Sequence, residues 1–585
     1  MKSFFKIFFA TLLALFIFSL ISFFITMGVI AGLASSGKEA TGNKAVLVLD
    51  LSQPFAEISE PNPLTGIGNR PQYDVPSLYD AVRMIRHAKA DSAVKGIYIK
   101  CAGNANSFGA SEAIRNALLD FQSTKKFVLA YGEVISQGGY RVANLADELY
   151  CHPKGGVDWR GYAFQNVFLK GALEKLAIEP QIFYAGKFKS ATEPFRETQM
   201  TAANKEQMTV LMNDLYAGLL EQTAAARELD TATLHRYADQ NLIRSASDAL
   251  QYKLVDGLKY DDEVQDILRT KLGLGKTAKI NFVSLGKYAQ AVNFKRQGSG
   301  RIALIYAEGD IVDGKGGEGM IGSDPYRQLI RKARFDDDVK AIVLRINSGG
   351  GSAMASENIW RELTLARKDK PVVVSFGDVS ASGGYYLSCN ADSIFAEPGT
   401  ITGSIGVFTL LPNMQQFFNK KLGITFDGVK TSPDADMMSV SKPLTEMQKR
   451  FVQAEIDSIY HTFLSRVAEG RKLTLAQVDS IGQGRVWTGS RALQLGLVDR
   501  IGGLDAAVDC AAGMAKLSEY RLREYPEPRN FMDRLLGSYQ EEAAETALQR
   551  ELGTEGLKTF RSLQRLKASL GVHQARLPFE LEVLP

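Results

Sequence analysis

The chain has 585 residues, 69 Lys and Arg against 65 Asp and Glu, five histidines and four cysteines. Its 45% hydrophobic and 23% charged content is that of a folded protein and excludes collagen-like, disulfide-scaffold and wholly disordered classes. A net charge of +4 with no dense basic block gives no nucleic-acid signal. Cys101, Cys151, Cys389 and Cys510 lack the CxxC spacing of a zinc or redox motif, and five scattered histidines make no metal site.

The first element is an apolar helix. No charge falls between Lys6 and Lys38, and Ile7 to Ala34 is almost entirely Phe, Leu, Ile, Ala and Val. A bilayer core of about 30 Å needs about 20 helical residues, so this run spans it. Ala34, Ser35 and Ser36 also suit a cleaved signal peptide, but the run is about twice an ordinary h-region of about 7–15 residues, which favours an uncleaved anchor. Lys2 and Lys6 precede the span, so the positive-inside rule puts the short tail in the cytoplasm and everything from about residue 40 across the membrane. In a bacterium this means the inner membrane, with the body of the chain in the periplasm.

The body is a duplication with an offset of 245 residues. VKGIYIKCAGNANSFGASEAI from Val94 matches VKAIVLRINSGGGSAMASENI from Val339, and from Ile85 to Gly161 24 of 77 positions are identical without a gap. Farther on, ALQYKLVD from Ala249 echoes ALQLGLVD from Ala492. The period is far longer than that of a solenoid, so a domain is written twice. Ala341 to Ile346 and Pro371 to Phe376 are short Val/Ile-rich runs that read as buried parallel strands, with a helix over Ala353 to Arg367 between them. Such units imply an α/β fold. The expected organisation is an anchor over 1–40, repeats over 41–280 and 281–525 joined by a linker near Gly273–Gly300, and a tail over 526–585 in which Phe531 to Leu570 reads as two amphipathic helices.

Chemistry is expected where the copies differ. In the second copy Ser382-Gly383-Gly384-Tyr385 follows a buried strand and opens a helix, placing a hydroxyl beside unpaired backbone N–H groups. Asn347-Ser348-Gly349-Gly350-Gly351-Ser352 is a second Gly-rich turn that can supply another donor. The first copy keeps Gly138-Gly139-Tyr140 but has Gln137 at the register of Ser382 and Ala102-Gly103-Asn104-Ala105 in place of the donor turn. It reads as lacking a nucleophile. His461, in SIYHTFLSRV, sits mid-helix and no histidine accompanies Ser382 in a motif, so a neutral lysine is the alternative base. Lys187 and Lys189 lie in an apolar-framed stretch of the first copy, and pattern alone does not choose between them.

Together these motifs resemble the long, two-domain bacterial signal peptide peptidase A family, Ser-Lys proteases of the Clp-protease and crotonase superfamily. The resemblance is carried by Lys189-Ser190-Ala191-x-Glu193-Pro194-Phe195, Ser380-Ala381-Ser382-Gly383-Gly384-Tyr385, Asn347-Ser348-x-Gly350-Gly351-Ser352 and Thr402-Gly403-Ser404-Ile405-Gly406, over about residues 1–515. It implies two tandem β-β-α spiral domains behind a transmembrane helix. It makes Ser382 the nucleophile, Lys189 the general base, the N–H groups of Gly383 and Gly350 the oxyanion hole, and Ser404 the residue that orients the lysine. It also implies a homotetramer standing on the lipid bilayer, remnant signal peptides and other apolar peptides as substrates, and no cofactor or metal. Gly349 departs from the family's usual Pro, which suggests a looser donor loop.

Two other readings remain at this stage: an acyl-CoA enzyme on a crotonase fold, which needs no serine, and a silent membrane scaffold. Gly314-x-Gly316-x-x-Gly319 imitates a dinucleotide fingerprint, but no helix opens directly after it. Gly275-Lys276-Thr277 imitates a P-loop with Thr270 where the first Gly is required.

Overall fold

A computed structural model describes residues 2–34, 41–59, 75–317, 319–527 and 571–577. Lys2–Ala34 is one continuous helix, and its Lys6–Ile25 stretch has a mean hydropathy of 2.6 and is not buried among the described residues. It is long and apolar enough to cross a membrane.

The duplication is visible strand by strand. In the first repeat a parallel sheet runs in the order Gly257–Leu258, Glu148–Val157, Phe127–Ile135, Val94–Lys100, Ala45–Asp50, Phe282–Ser284. In the second the matching strands are Val372–Ala381, Val339–Ser348, Gly300–Glu308 and Tyr520–Tyr525, with Ser393–Ala396 and Ile401–Gly403 both beside the first of these. Even an irregularity is kept: the register slips past Lys95 in one copy and past Lys340 in the other. Helix Phe108–Gln122 corresponds to Ala353–Arg367, and Ala202–Arg227 to Glu446–Arg471. The expected helix over Ala353 to Arg367 is present from end to end.

These elements form for ordinary reasons. The central strands are Val/Ile-rich and buried on both faces, as parallel strands covered by helices must be, and each such side chain contributes about 1.5–3 kcal/mol. Ser352 caps helix Ala353–Arg367 by accepting from Ala355 N–H, and Thr201 caps Ala202–Arg227 in the same way.

A third sheet joins the repeats. Its order is Met320–Gly322, Asp310–Val312, Gly350–Ser352, Gln574–Arg576, Val407–Asn413, Glu179–Ala185. Glu179–Ala185 belongs to the first repeat, yet it pairs along seven residues with Val407–Asn413 of the second. Buried Arg345 of the second repeat also pairs with buried Glu57 of the first, Nε lying 3.0 Å from both carboxylate oxygens.

Within the linker expected near Gly273–Gly300, Phe282–Ser284 pairs with Ala45–Asp50 and helix Leu285–Ala291 follows it, so we propose that the repeats meet at its far end, near 292–299. The tail was expected to be helical, but its described part, residues 571–577, is extended and contributes the strand Gln574–Arg576, because it finds two open strand edges to pair with. The two helices expected over Phe531 to Leu570 lie outside the described residues. Both nucleotide-like motifs fall in loops: strand Met320–Gly322 intervenes between Gly319 and the next helix, and Gly275-Lys276-Thr277 follows helix Asp261–Lys271.

Candidate active site

Strand Val372–Ala381 delivers Ser382 to the start of helix Gly383–Ser388. Ser382 is fully buried and adopts φ 53°, ψ −112°, a conformation that costs a residue with a side chain about 1–3 kcal/mol. Neighbouring backbone holds it there: Ser382 N–H donates to Gly403 C=O at 2.8 Å, and Tyr386 N–H donates to Ser382 C=O at 2.7 Å. Ser404 is likewise buried with φ 52°, held by its N–H donating to Arg485 C=O at 2.7 Å. Two adjacent strained serines in one pocket point to a site rather than a packing accident.

The first repeat supplies the amine. Lys189 Nζ lies 2.9 Å from Ser382 Oγ, 3.0 Å from Ser404 Oγ and 3.2 Å from Ser404 C=O. All three partners are neutral oxygens, and the side chain is 1% exposed. Burial pulls the ammonium well below the usual lysine pKa. Lys187, by contrast, is exposed, which separates the two lysines that pattern could not. Lys189 and Ser382, 193 residues apart, meet within one chain.

The lysine loop is clamped by residues that pattern did not single out. Gln207, one turn into helix Ala202–Arg227, donates to Phe188 C=O at 3.0 Å and to Ser190 Oγ at 2.9 Å, gripping the chain on both sides of Lys189. Glu193 does not face the lysine: its carboxylate accepts from Thr201 Oγ1 and, at 2.8 Å, from Asn204 Nδ2, fixing the start of the same helix. From the second repeat, Gln483 C=O accepts from Phe188 N–H at 2.7 Å. Next to it Gly484 has φ +77°, and a Cβ there would come within 2.7 Å of Lys189 Cα, so glycine is required. The only sequence signal for Gln207 is its place one turn inside a capped helix, which is too common to be diagnostic.

Gly383 opens the helix after Ser382, so its N–H is one the helix cannot satisfy internally. Gly350 is alongside, with φ +100° and its would-be Cβ 2.7 Å from Gly383 N. Its own N–H donates to Ser348 Oγ at 3.1 Å, so in this structure it is engaged rather than free. At Gly349 a Cβ would meet Leu577 Cδ1 at 3.4 Å, an ordinary contact, and φ is not in the left-handed region, so nothing there demands glycine over proline.

The first repeat's counterpart is filled differently. Gln137 is buried and donates to Gly161 C=O at 3.1 Å while accepting from Arg160 and Gly161 N–H. Trp159 occupies the register of Ser404 and is 1% exposed. An amide and an indole thus stand at the register positions of Ser382 and Ser404, the indole packed edge-on against Tyr140 and donating to Leu234 C=O at 2.9 Å.

A buried amine whose pKa is pulled down by burial, hydrogen-bonded to a strained serine hydroxyl at a helix start, is placed to take that hydroxyl's proton for attack on a carbonyl. The comparisons agree with acyl-transfer chemistry. The model for peptidase family S49 matches twice, at residues 120–275 and 364–518. Protease 4 of Salmonella typhi is 37% identical over 523 residues, covering 86% of this chain and 83% of its own. Protease 4 of Haemophilus influenzae is 36% identical over 451 residues, covering 74% and 72%. The chloroplastic serine protease SPPA of Arabidopsis thaliana is 30% identical over 438 residues, covering 74% and 64%.

Proposed function

The chain belongs to peptidase family S49, and on that premise we propose that it is a membrane-anchored serine endopeptidase whose nucleophile is Ser382 and whose general base is Lys189. It degrades signal peptides, and the apolar N-terminal helix suits a bilayer-held enzyme acting on apolar peptides. The acyl-CoA and scaffold readings are not favoured.

The observation that carries the assignment is the 2.9 Å separation of Lys189 Nζ from Ser382 Oγ in a buried, carbonyl- and hydroxyl-lined pocket. Neutral Lys189 accepts the Ser382 hydroxyl proton as Oγ attacks the peptide carbonyl. The oxyanion is stabilised by Gly383 N–H, joined by Gly350 N–H once substrate draws it from Ser348 Oγ. Lys189, now an ammonium, passes its proton to the leaving amine. In deacylation Lys189 takes a proton from water as that water's oxygen attacks the acyl carbonyl, and then returns the proton to Ser382 Oγ as the ester bond breaks and the peptide acid leaves. Ser404 Oγ keeps the amine aimed at Ser382 throughout. The finer parts of the proposal are inner-membrane residence with the amino terminus in the cytoplasm and assembly as a homotetramer, both supported by the family resemblance.

Labelling by a fluorophosphonate probe beside hydrolysis of a synthetic signal peptide tests the dyad. Ser382→Ala loses both, and Lys189→Ala loses hydrolysis with labelling slowed by about 10²–10⁴-fold, the usual share of general-base catalysis. Wild-type rates in either variant would end the assignment.

A further inference from the structure

A cavity of about 460 Å³ lies where the first repeat meets the second. Phe108, Ser111 and Gly138 of the first repeat line it on one side, and Val379 and Ile401 of the second on the other. Part of its wall is apolar: Phe108, Tyr162 and Val379 pack on a cluster that holds Ile401 and Ala381, the residue before Ser382. Val379 is three residues from Ser382 along an extended strand, about 10 Å.

Arg141 lines the same cavity and is 4% exposed. Its guanidinium lies over the Phe108 ring at 4.9 Å, and its Nη2 donates to Glu112 Oε2 at 3.3 Å. Its Nε and Nη1 have no partner, and no other described residue lining the cavity has a buried side-chain polar atom left in that state. Asn104 Nδ2 donates to Ser111 Oγ at 2.9 Å, Ser136 Oγ accepts from Gly139 N–H at 3.1 Å, and Asp378 Oδ1 accepts from Ala110 N–H at 2.9 Å. The Tyr162 phenol is beside the guanidinium. Idle donors on a buried cation call for an anionic acceptor.

The second repeat shows that the fold does not require this arrangement. There the register positions of Glu112, Arg141 and Gln222 hold Glu357, Tyr386 and Arg466. Glu357 accepts from Arg466 Nη2 at 2.7 Å and from the Tyr386 hydroxyl at 2.7 Å. In the first repeat the glutamate is the same, and Gln222 Nε2 donates to it at 2.7 Å, but the arginine stands at 141 rather than on the long helix. An arginine at 222 would serve Glu112 as Arg466 serves Glu357. At 141 it faces the cavity as well.

We propose that this cavity is a second binding site, for the free C-terminal carboxylate of a peptide: Arg141 Nε and Nη1 take the carboxylate, and the last side chain packs among Phe108, Val379 and Ile401. The proposal rests on the peptidase reading for the ligand being a peptide. A signal peptide already cut from its protein ends in such a carboxylate, whereas an uncut precursor continues as an amide. The site therefore selects released peptides and holds them beside the strand that carries Ser382.

Binding is read first, on full-length Ser382→Ala protein, with a short fluorescent apolar peptide ending in leucine, made with a free carboxylate or as its C-terminal amide. The carboxylate form is expected to bind at least about tenfold more tightly, the share of a charge-assisted hydrogen bond. The comparison is repeated on protein that also carries Arg141→Tyr and Gln222→Arg, an exchange that gives Glu112 the partners Glu357 has and takes the cation out of the cavity. The two forms are then expected to bind equally. Equal binding to the first protein, or a preference that survives the exchange, would overturn the proposal. So would displacement of the peptide by acetate at the peptide's own concentration, which would make the cavity a site for small anions only. In the second arm the active enzyme cleaves the carboxylate form with kcat/KM at least about tenfold above the amide, and the exchange brings that ratio to about one. A ratio that the exchange left untouched would overturn it. Binding needs no turnover: if neither form were cleaved, the peptidase reading would fall while the carboxylate preference would still be decided.

Discussion

Lys189, the proposed general base, works against the stability of the folded chain. Burial holds its pKa well below the usual value, whereas the unfolded chain titrates at about 10.4. Between those two values the unfolded state binds the extra proton, so stability rises with pH through the window and the lysine is a liability at pH 7. Lys189→Met should therefore abolish hydrolysis yet raise the melting temperature at pH 7, with the advantage shrinking toward pH 10. Thermal unfolding of both proteins from pH 6 to 10 measures this, and a gap that did not vary with pH would show that the lysine is not held neutral. Hydrolysis by the native enzyme should rise with pH along the same titration, because only the deprotonated amine can accept the serine proton. Ser382 was legible in sequence because its copy in the first repeat is Gln137, a change that a mere turn would not need. Lys189 was less so: Lys187 shares its local pattern, and what separates them is burial against Ser404, 215 residues away.

At the level of elements, local signals translated well and long-range pairings did not. The helix over Ala353–Arg367 follows from apolar spacing and a serine cap, both local. The strand expected over Ala341 to Ile346 runs from Val339 to Ser348, since its ends are set by partners rather than by its own composition. Gln574–Arg576 had no strand signal because its stability comes from two edges more than 160 residues away in sequence. Helix Ala202–Arg227 is the clearest case of function carried by an element. Its first turn is tied to Glu193 and its second presents Gln207 to Phe188 and Ser190, so the helix acts as a splint for the lysine loop. Gln207→Leu leaves those partners without their donor and should cost about 1–3 kcal/mol of stability. As a positioning residue it should also lower kcat by about 10²-fold with KM little changed, the scale of a 1 Å misplacement. The acid limb of the pH profile should move upward as the loosened loop admits water to Lys189. Loss of stability with kcat and the pH profile unchanged would make Gln207 purely structural.

For the molecule as a whole, duplication explains how one chain makes an asymmetric site. Each repeat keeps the same sheet and the same register slip, but the first has Gln137 where the second has Ser382 and contributes Lys189, while the second contributes Ser382 and the Gly349–Gly351 turn. The pairing of Glu179–Ala185 with Val407–Asn413 and the Glu57–Arg345 ion pair hold the halves together, so the dyad is formed by the interface and by neither repeat alone. The N-terminal helix stands apart from this. It spans 33 residues, about 50 Å at 1.5 Å per residue, and the side chains described along Lys6–Ile25 are almost all exposed. None of the described hydrogen bonds of Lys189, Ser382 and Ser404 reaches it, so its expected contribution is one of location. Removing residues 1–40 should yield a protein that needs no detergent and cleaves a soluble leucine-containing peptide with an unchanged kcat/KM. A signal peptide embedded in lipid vesicles is a different substrate, because anchoring confines enzyme and peptide to one surface and raises their effective concentration. On it the shortened protein should be slower by roughly 10²-fold, the lower end of what tethering supplies. Equal rates on the embedded peptide would mean that substrates reach Ser382 from solution and that the N-terminal helix serves some purpose other than bringing the enzyme to them.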